Sequence, residues 1–235
     1  MIFENSVNLG LANSVIKGVT EVVNKYGRGI VLADDLLTAP GFLRYMNDAL
    51  DRYENEEKVM QISGHMFDVD IEAETDAVFL PFTTSWGWAT WKRAWSKFDP
   101  SAAGYDLLRE DKSLRHKFDL DGTYDYFAML ERQLKGKVNS WAIRWYLSVF
   151  MLNGISLFPT KTLVYNFGFD GSGTHCGKIR HGEKTKDNDE DVSIGCVRIF
   201  PSVSVDRSFC VGVKSCLGSQ NKFSFISKLS KILWK

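Results

Sequence analysis

Residues 13–35 have the sequence NSVIKGVTEVVNKYGRGIVLADD, in which a periodic segment is followed by an apolar run and two adjacent aspartates. The apolar residues before Gly27 recur every three or four positions, which predicts an amphipathic helix that ends at this glycine. Residues 29–33 form a short continuous apolar run, which is typical of a strand buried in a parallel sheet. This order predicts an αβ unit whose strand ends at Asp34 and Asp35.

Segments of both kinds continue along the chain. Strands are predicted at 59–64, 77–80 and 155–159, and helices at 42–50, 124–134 and 141–152. At 235 residues the chain is long enough for one α/β domain. Charged residues become dense after about residue 178, so we divide the chain into a domain at 1–178 and a polar tail at 179–235.

Composition excludes several classes of protein. Lys plus Arg and Asp plus Glu both number 29, so the chain lacks the basic excess of a dedicated nucleic-acid binder. None of its cysteines forms a C-x-x-C pair, which argues against a zinc site and favours a reducing compartment. Because we find no signal peptide and no apolar run of about eighteen residues, we expect a cytoplasmic protein.

The tail ends in a segment with a possible membrane function. Residues 221–235 alternate apolar side chains with lysines, which is the pattern of a basic amphipathic helix. Such a helix would suit the anionic inner face of a membrane. The alternative is a terminal helix that docks on the core.

The acidic pair itself has two interpretations. Carboxylates at the carboxyl end of a strand lie where open α/β sheets bind ligands, and their oxygens suit Mg²⁺ or Mn²⁺ bridged to a diphosphate. Alternatively, Asp34 or Asp35 is the N-cap of the next helix, a common place for aspartate after a strand. The pair alone leaves both open.

Several ordered motifs accompany the acidic pair. They are NLGLA at 8–12, IVLADDL at 30–36, PGF at 40–42, SWGWATW at 85–91, WAIRW at 141–145 and fragments between Ile155 and His175. Together they resemble family 2-type glycosyltransferases of the GT-A fold, especially the N-acetylglucosaminyltransferase I-like group and its bacterial relatives. The resemblance covers residues 5–178. It implies a nucleotide-diphospho-sugar transferase fold with a mixed sheet flanked by helices.

The resemblance also implies a reaction. In the group an acidic triplet, usually Glu-Asp-Asp-Leu, carries Mn²⁺ or Mg²⁺; here Ala33 replaces its first member, and Asp35 corresponds to the direct ligand. We therefore expect transfer of a hexose or N-acetylhexosamine from a nucleotide diphosphate sugar to a hydroxyl of a glycan or lipid-linked acceptor. The expected setting is surface polysaccharide synthesis at the inner face of the membrane.

Two departures from the family leave a rival open. The amino-terminal strands that hold the nucleotide have no counterpart, so the GT-A fold is incomplete unless a partner chain supplies that half. The aspartate that acts as general base in inverting members is replaced by Ala142 or Ile143. The rival is a truncated, non-catalytic remnant that binds sugar or a partner glycosyltransferase.

Other candidate residues each have a structural alternative. Asp125 could serve as the base or as a helix N-terminal charge, and Asp170 as the base or as part of a surface turn. Gly171 and Gly173 belong to a loop that could cradle the diphosphate. His175 could ligate the metal or be solvated.

The remaining candidates face the substrate in the expected site. Arg144 could neutralise phosphate or form a salt bridge to the rim of the sheet. Trp86 and Trp88 could stack on sugar rings, provided that their segment is extended, or could pack in the core.

Overall fold

Helices and strands alternate along most of the chain, as an α/β architecture requires. The computed structural model describes residues 6–167 and 197–219. The elements are α1 (Leu11–Tyr26), β1 (Arg28–Val31), β2 (Leu36–Thr38), α2 (Phe42–Arg52), β3 (Val59–Ser63), β4 (Ala77–Leu80), β5 (Trp88–Trp91), α3 (Lys92–Trp95), α4 (Tyr105–Glu110), α5 (Lys112–Phe118), α6 (Tyr126–Leu134), α7 (Trp141–Met151), β6 (Ile155–Pro159), β7 (Val164–Asn166) and α8 (207–219). The predicted helices and strands up to Pro159 are all present, with small shifts of their ends.

The first helix ends as its sequence predicts. Gly27 has φ +80°, in the left-handed region that suits glycine, and its N–H donates to the Val23 carbonyl at 2.9 Å. This cap turns the chain from α1 directly into β1.

The strands form a mixed sheet in the order β1-β5-β3-β6-β4. Strands β3 and β6 pair in parallel, whereas β1–β5, β3–β5 and β4–β6 are antiparallel. A second sheet consists of β2 and β7. The expected α/β class with a mixed sheet and flanking helices is therefore confirmed.

The position of β1 differs from the sequence-based expectation. It is an edge strand, all four residues are partly exposed, and its one strand partner in the described ranges is the antiparallel β5. The prediction that residues 29–33 form a strand buried in a parallel sheet was wrong, because a short apolar run does not specify how a strand pairs. The fully buried strands are β3, β4, β5 and β6.

Three apolar clusters hold the layers together. One of them packs α8, through Phe209 and Val213, against α6 and α7. Another contains Phe200 as a partly buried member. The described part of the predicted tail therefore packs on the same core as the rest of the chain. Residues 221–235, and the predicted boundary at 178, lie outside the described ranges.

Candidate functional site

The loops that carry the predicted site lie at one edge of the main sheet, the edge formed by the ends of the strands. Strands β1, β3 and β6 run in the same direction, since β1 and β3 are each antiparallel to β5 and β3 is parallel to β6. Their carboxyl ends therefore meet at one edge, where β5 begins. Trp88, the first residue of β5, pairs with both Val31 and Ser63, the last residues of β1 and β3.

Backbone hydrogen bonds fix the loops at this edge. The Gly64 N–H donates to the Gly87 carbonyl at 2.6 Å, and the Leu163 N–H donates to the Gly64 carbonyl at 2.8 Å. A Cβ on Gly64 would lie 2.5 Å from the Phe42 ring and 2.9 Å from the Gly87 oxygen. Gly87 has φ +56°, so it also needs the freedom of glycine. The two glycines let neighbouring loops approach closely.

The acidic pair lies in the turn after β1. Asp34 is exposed and Asp35 is partly buried. Neither caps a helix, because α2 begins after Gly41. The N-cap interpretation of the pair is therefore wrong. In the described ranges, neither carboxylate has a side-chain hydrogen bond or a salt bridge; only the Asp35 carbonyl is used, by the Phe167 N–H at 2.9 Å.

These carboxylates fit a metal as part of a ligand set. Hard cations such as Mg²⁺ take oxygen ligands, and a protein often supplies only one or two carboxylates while substrate phosphates and water complete the shell. Within residues 6–167 and 197–219, no group of three or more His, Cys, Asp or Glu side chains is placed to hold an ion. A cation at the acidic pair would therefore need further ligands beyond the described side chains.

A second polar group at this edge was missed by sequence reasoning. It comprises Ser63, His65, Thr84, Trp86 and Thr162, which we call the His65 cluster. The His65 ring lies with its centroid 4.7 Å from that of Trp86, and its Nδ1 lies 3.3 Å from the Thr162 hydroxyl. The hydroxyls of Ser63 and Thr84 are 2.5 Å apart. These residues come from three separate segments of the chain, so no local motif could have revealed them.

The surroundings of His65 keep its imidazole neutral. Besides Trp86 and Thr162, the ring contacts Phe67 at a centroid distance of 5.1 Å. Burial among these groups lowers the pKa of His65 to about 4. At neutral pH the imidazole is therefore a hydrogen-bonding group and a weak base.

The two tryptophans expected to contact sugar separate in the structure. Trp86 is partly exposed and belongs to the His65 cluster. Trp88 is fully buried and stacks on Trp141 at 4.9 Å, within an aromatic cluster that includes Trp95 and Trp145. The expectation that Trp88 binds substrate was wrong. As the first residue of β5, a strand paired on both sides, it faces the core.

Arg144 and Asp125 have local structural roles. The Arg144 guanidinium donates to the carbonyls of Ser140 and Pro100, each at 3.2 Å, so the predicted salt bridge is replaced by bonds to backbone. Asp125 is the N-cap of α6 and accepts from the Ala128 N–H at 2.9 Å. The helix-terminal interpretation of Asp125 is confirmed.

The remaining candidates cannot be placed relative to this edge. Asp170, Gly171, Gly173 and His175 lie outside the described residues. The structure therefore brings together Asp34, Asp35 and Trp86 from the sequence-based set, and adds His65 with its partners.

Comparison with known proteins adds no identification. No protein-family model matches this chain, and no curated protein matches it significantly. Of the helices in the described ranges, none is long and apolar enough to cross a membrane. Any functional conclusion rests on the geometry of the sheet edge and on the sequence motifs.

Proposed function

We propose that this chain is the acceptor-side part of a metal-dependent glycosyltransferase of GT-A type. It would transfer a hexose or N-acetylhexosamine from a nucleotide diphosphate sugar to a hydroxyl acceptor in surface polysaccharide synthesis. The observation that carries the proposal is the acidic pair. Asp34 and Asp35 lie at the carboxyl edge of the sheet, and within the described residues no protein group occupies their carboxylates. This is the position and chemistry that a metal–diphosphate ligand requires.

In this proposal Asp35, assisted by Asp34, holds Mn²⁺ or Mg²⁺ against the diphosphate. The metal would offset the negative charge that develops on the departing phosphate. Trp86, at the start of the β5 segment, would form one wall of the sugar site. The pairing of Trp88 with Val31 would hold that wall in a fixed position relative to the acidic pair.

The proposal includes a partner that supplies the nucleotide-binding half. The support is the outer edge of β1, which has no strand partner in the described part of the chain. Leu32, which follows β1, is 44% exposed, and Tyr26, just before it, is 66% exposed. An additional strand could pair there and cover these apolar side chains.

The two residues considered as general base, Asp125 and His65, are both poorly suited to that role, which favours a second candidate function. The Asp125 carboxylate is held at the N-terminus of α6, which packs against α5 and α7. His65 is a weak base because burial lowers its pKa to about 4. Neither suits deprotonation of an acceptor hydroxyl at neutral pH. The second candidate is therefore a sugar-binding remnant that acts beside a catalytic partner.

Metal binding tests the transferase proposal first. We would titrate the full chain with Mn²⁺, alone and with UDP, GDP or dTDP, and follow free Mn²⁺ by electron paramagnetic resonance. The proposal expects nucleotide-dependent Mn²⁺ binding that Asp34→Asn/Asp35→Asn abolishes. Glu56→Gln/Glu57→Gln is the matched control, since it removes the same charge from an exposed pair just before β3, at the opposite edge.

Two outcomes then decide among the alternatives. Equal Mn²⁺ binding by both double variants would show that the acidic pair is not the metal site, and the transferase proposal would be wrong. If the metal binds at the pair, release of nucleoside diphosphate from sugar donors separates an enzyme from a remnant. Release above the level of the Asp34→Asn/Asp35→Asn variant identifies the enzyme.

A further inference from the structure

His65 occupies a position at the sheet edge that its structural role does not explain. It follows β3 directly, and the adjacent Gly64 is hydrogen-bonded to both Gly87 and Leu163. The imidazole is partly buried, between the rings of Trp86 and Phe67. A polar ring is thus fixed beside a partly exposed indole, at the same edge as the acidic pair.

The hydrogen bonds of Thr162 assign the tautomer of His65. The Thr162 hydroxyl has one proton and two acceptors in reach, and we assign the proton to the shorter contact, with the Val164 carbonyl at 3.0 Å rather than with His65 Nδ1 at 3.3 Å. Its oxygen can then only accept at the 3.3 Å contact with Nδ1 of His65. Nδ1 therefore carries the proton, and in a neutral imidazole Nε2 is left as a bare acceptor.

This acceptor lacks a donor in the described structure. Thr162 is the one hydrogen-bond partner of the His65 ring in residues 6–167 and 197–219. His65 is only partly buried, so an acceptor without a protein donor meets its donor in water or in a ligand at this edge. Protonation does not solve the problem at neutral pH, because the buried imidazole resists a positive charge.

The chemistry of a bare nitrogen beside an indole restricts the ligand. A carboxylate, or the diphosphate of a nucleotide sugar, has no proton to donate at neutral pH and would be repelled by the nitrogen lone pair. A hydroxyl can donate, and the C–H face of a pyranose suits an aromatic wall. Binding sites commonly combine apolar walls with a few placed polar groups in this way.

We propose that the His65 cluster is a sugar-hydroxyl subsite, in which Nε2 of His65 accepts a hydrogen bond from a pyranose hydroxyl beside the Trp86 ring. The inference rests on the proposed function only for the class of ligand. It deepens that function by assigning His65 as a specificity-determining residue. The hydroxyl would belong to either the donor sugar or the acceptor sugar, which share this chemistry.

The first test measures the tautomer directly. Long-range ¹H–¹⁵N correlation spectra of the full chain at pH 7 distinguish protonated from bare ring nitrogens. The proposal expects a protonated Nδ1 and a bare Nε2 at His65. The opposite tautomer, or a charged ring, would overturn it before any ligand is added.

The second test identifies the source of the hydroxyl. One arm titrates methyl glycosides of glucose, galactose and N-acetylglucosamine without metal, and the other titrates the corresponding UDP-sugars with Mn²⁺. Shifts of the His65 and Trp86 resonances in the first arm indicate an acceptor sugar, and shifts in the second arm beyond those caused by UDP indicate a donor sugar. No shift in either arm would overturn the proposal.

Two matched variants test whether sugar binding depends on His65. His65→Phe keeps a planar ring but removes the acceptor, so it should weaken sugar binding about tenfold, as expected for one lost hydrogen bond. His116→Phe makes the same change at an exposed histidine of α5 and should leave the affinity unchanged. Equal affinity of the His65→Phe and unsubstituted chains would overturn the role of Nε2.

The experiments can refute the transferase proposal and the sugar-subsite proposal independently of each other. If methyl glycosides perturb His65 while nucleotide-dependent Mn²⁺ binding is absent, the sugar subsite stands and the transferase proposal falls. If Mn²⁺ and UDP bind through Asp34 and Asp35 but no sugar perturbs His65, the transferase proposal stands and the subsite falls.

Discussion

The acidic pair and the His65 cluster share one sheet edge but satisfy their polar groups in different ways. Asp34 is exposed, and neither it nor Asp35 has a side-chain partner in the described residues. In the His65 cluster, by contrast, Ser63 is fully buried and its hydroxyl contacts the Thr84 hydroxyl and the backbone of His65. The carboxylates of the acidic pair can therefore accept a ligand, whereas most polar groups of the His65 cluster are already hydrogen-bonded within the protein.

This difference predicts how changes in the two groups divide between the stability of the fold and the binding of a ligand. Changes in the His65 cluster and its supporting glycines should affect stability, because buried polar groups and close backbone contacts cannot be removed without leaving unmet groups or clashes. Changes in the acidic pair should affect ligand binding and leave stability nearly unchanged. The experiments below measure this contrast in free energy of unfolding.

The largest loss of stability is expected at Gly87, which is hydrogen-bonded to Gly64 and lies close to the Leu32 side chain. In Gly87→Ala the new Cβ would lie 2.7 Å from Val164 Cγ1, and the residue would be held at φ +56°. The backbone strain and the overpacking together should lower the free energy of unfolding by about 4 kcal/mol. Urea denaturation followed by tryptophan fluorescence measures this.

Gly18→Ala is the matched control for that substitution. A Cβ on Gly18 meets nothing within 4 Å in α1, so alanine should raise the free energy of unfolding by about 0.5–1 kcal/mol through helix propensity. If Gly87→Ala is as stable as the unsubstituted chain, the loops at this edge do not pack as described.

The second-largest change in the free energy of unfolding is expected when the pH is lowered, because of the titration of His65. Its pKa is about 4 in the folded chain against 6.5 as the ordinary value, so between these pH values the unfolded chain binds a proton that the folded chain does not. Stability is therefore complete above pH 6.5 and falls as the pH decreases, by about 3 kcal/mol at pH 4.

The variant His65→Phe isolates this contribution from that of other groups. Its free energy of unfolding should depend less steeply on pH between 6.5 and 4, and equilibrium urea denaturation at several pH values measures the difference. Parallel pH profiles for the two chains would show that His65 titrates normally and that its ring is not buried.

The contrast also explains how much could be predicted from the sequence. Helices α1, α2, α6 and α7 and four of the strands, including the strand before Asp34, were predictable because their apolar patterns are local. The edge position of β1 and the burial of Trp88 were not, since strand pairing joins Val31 to a segment far along the chain. His65 could not be found for the same reason. The residues that its ring contacts, Trp86 and Thr162, come from separate loops.

A smaller effect is expected at Ser63. Ser63→Ala leaves the Thr84 hydroxyl and the His65 amide, which lie 2.5 Å and 3.2 Å from the Ser63 oxygen, without this partner. The free energy of unfolding should fall by about 1–2 kcal/mol, the usual effect of unmet buried polar groups. Ser85→Ala, at an exposed serine in the same segment, should change it by less than about 0.5 kcal/mol. Equal effects of the two changes would contradict the buried network.

The smallest effect on stability belongs to the residues with the largest expected effect on binding. Because neither carboxylate has a side-chain partner in the described chain, Asp34→Asn/Asp35→Asn should change the free energy of unfolding by less than about 0.5 kcal/mol. Adding Mn²⁺ with a nucleoside diphosphate should then raise the melting temperature of the unsubstituted chain but not of this variant, since ligands stabilise only the state that binds them. Thermal unfolding followed by circular dichroism measures both quantities in one experiment. A large loss of stability without ligand would instead mean that these carboxylates support the fold, and the distinction between the two groups would be lost.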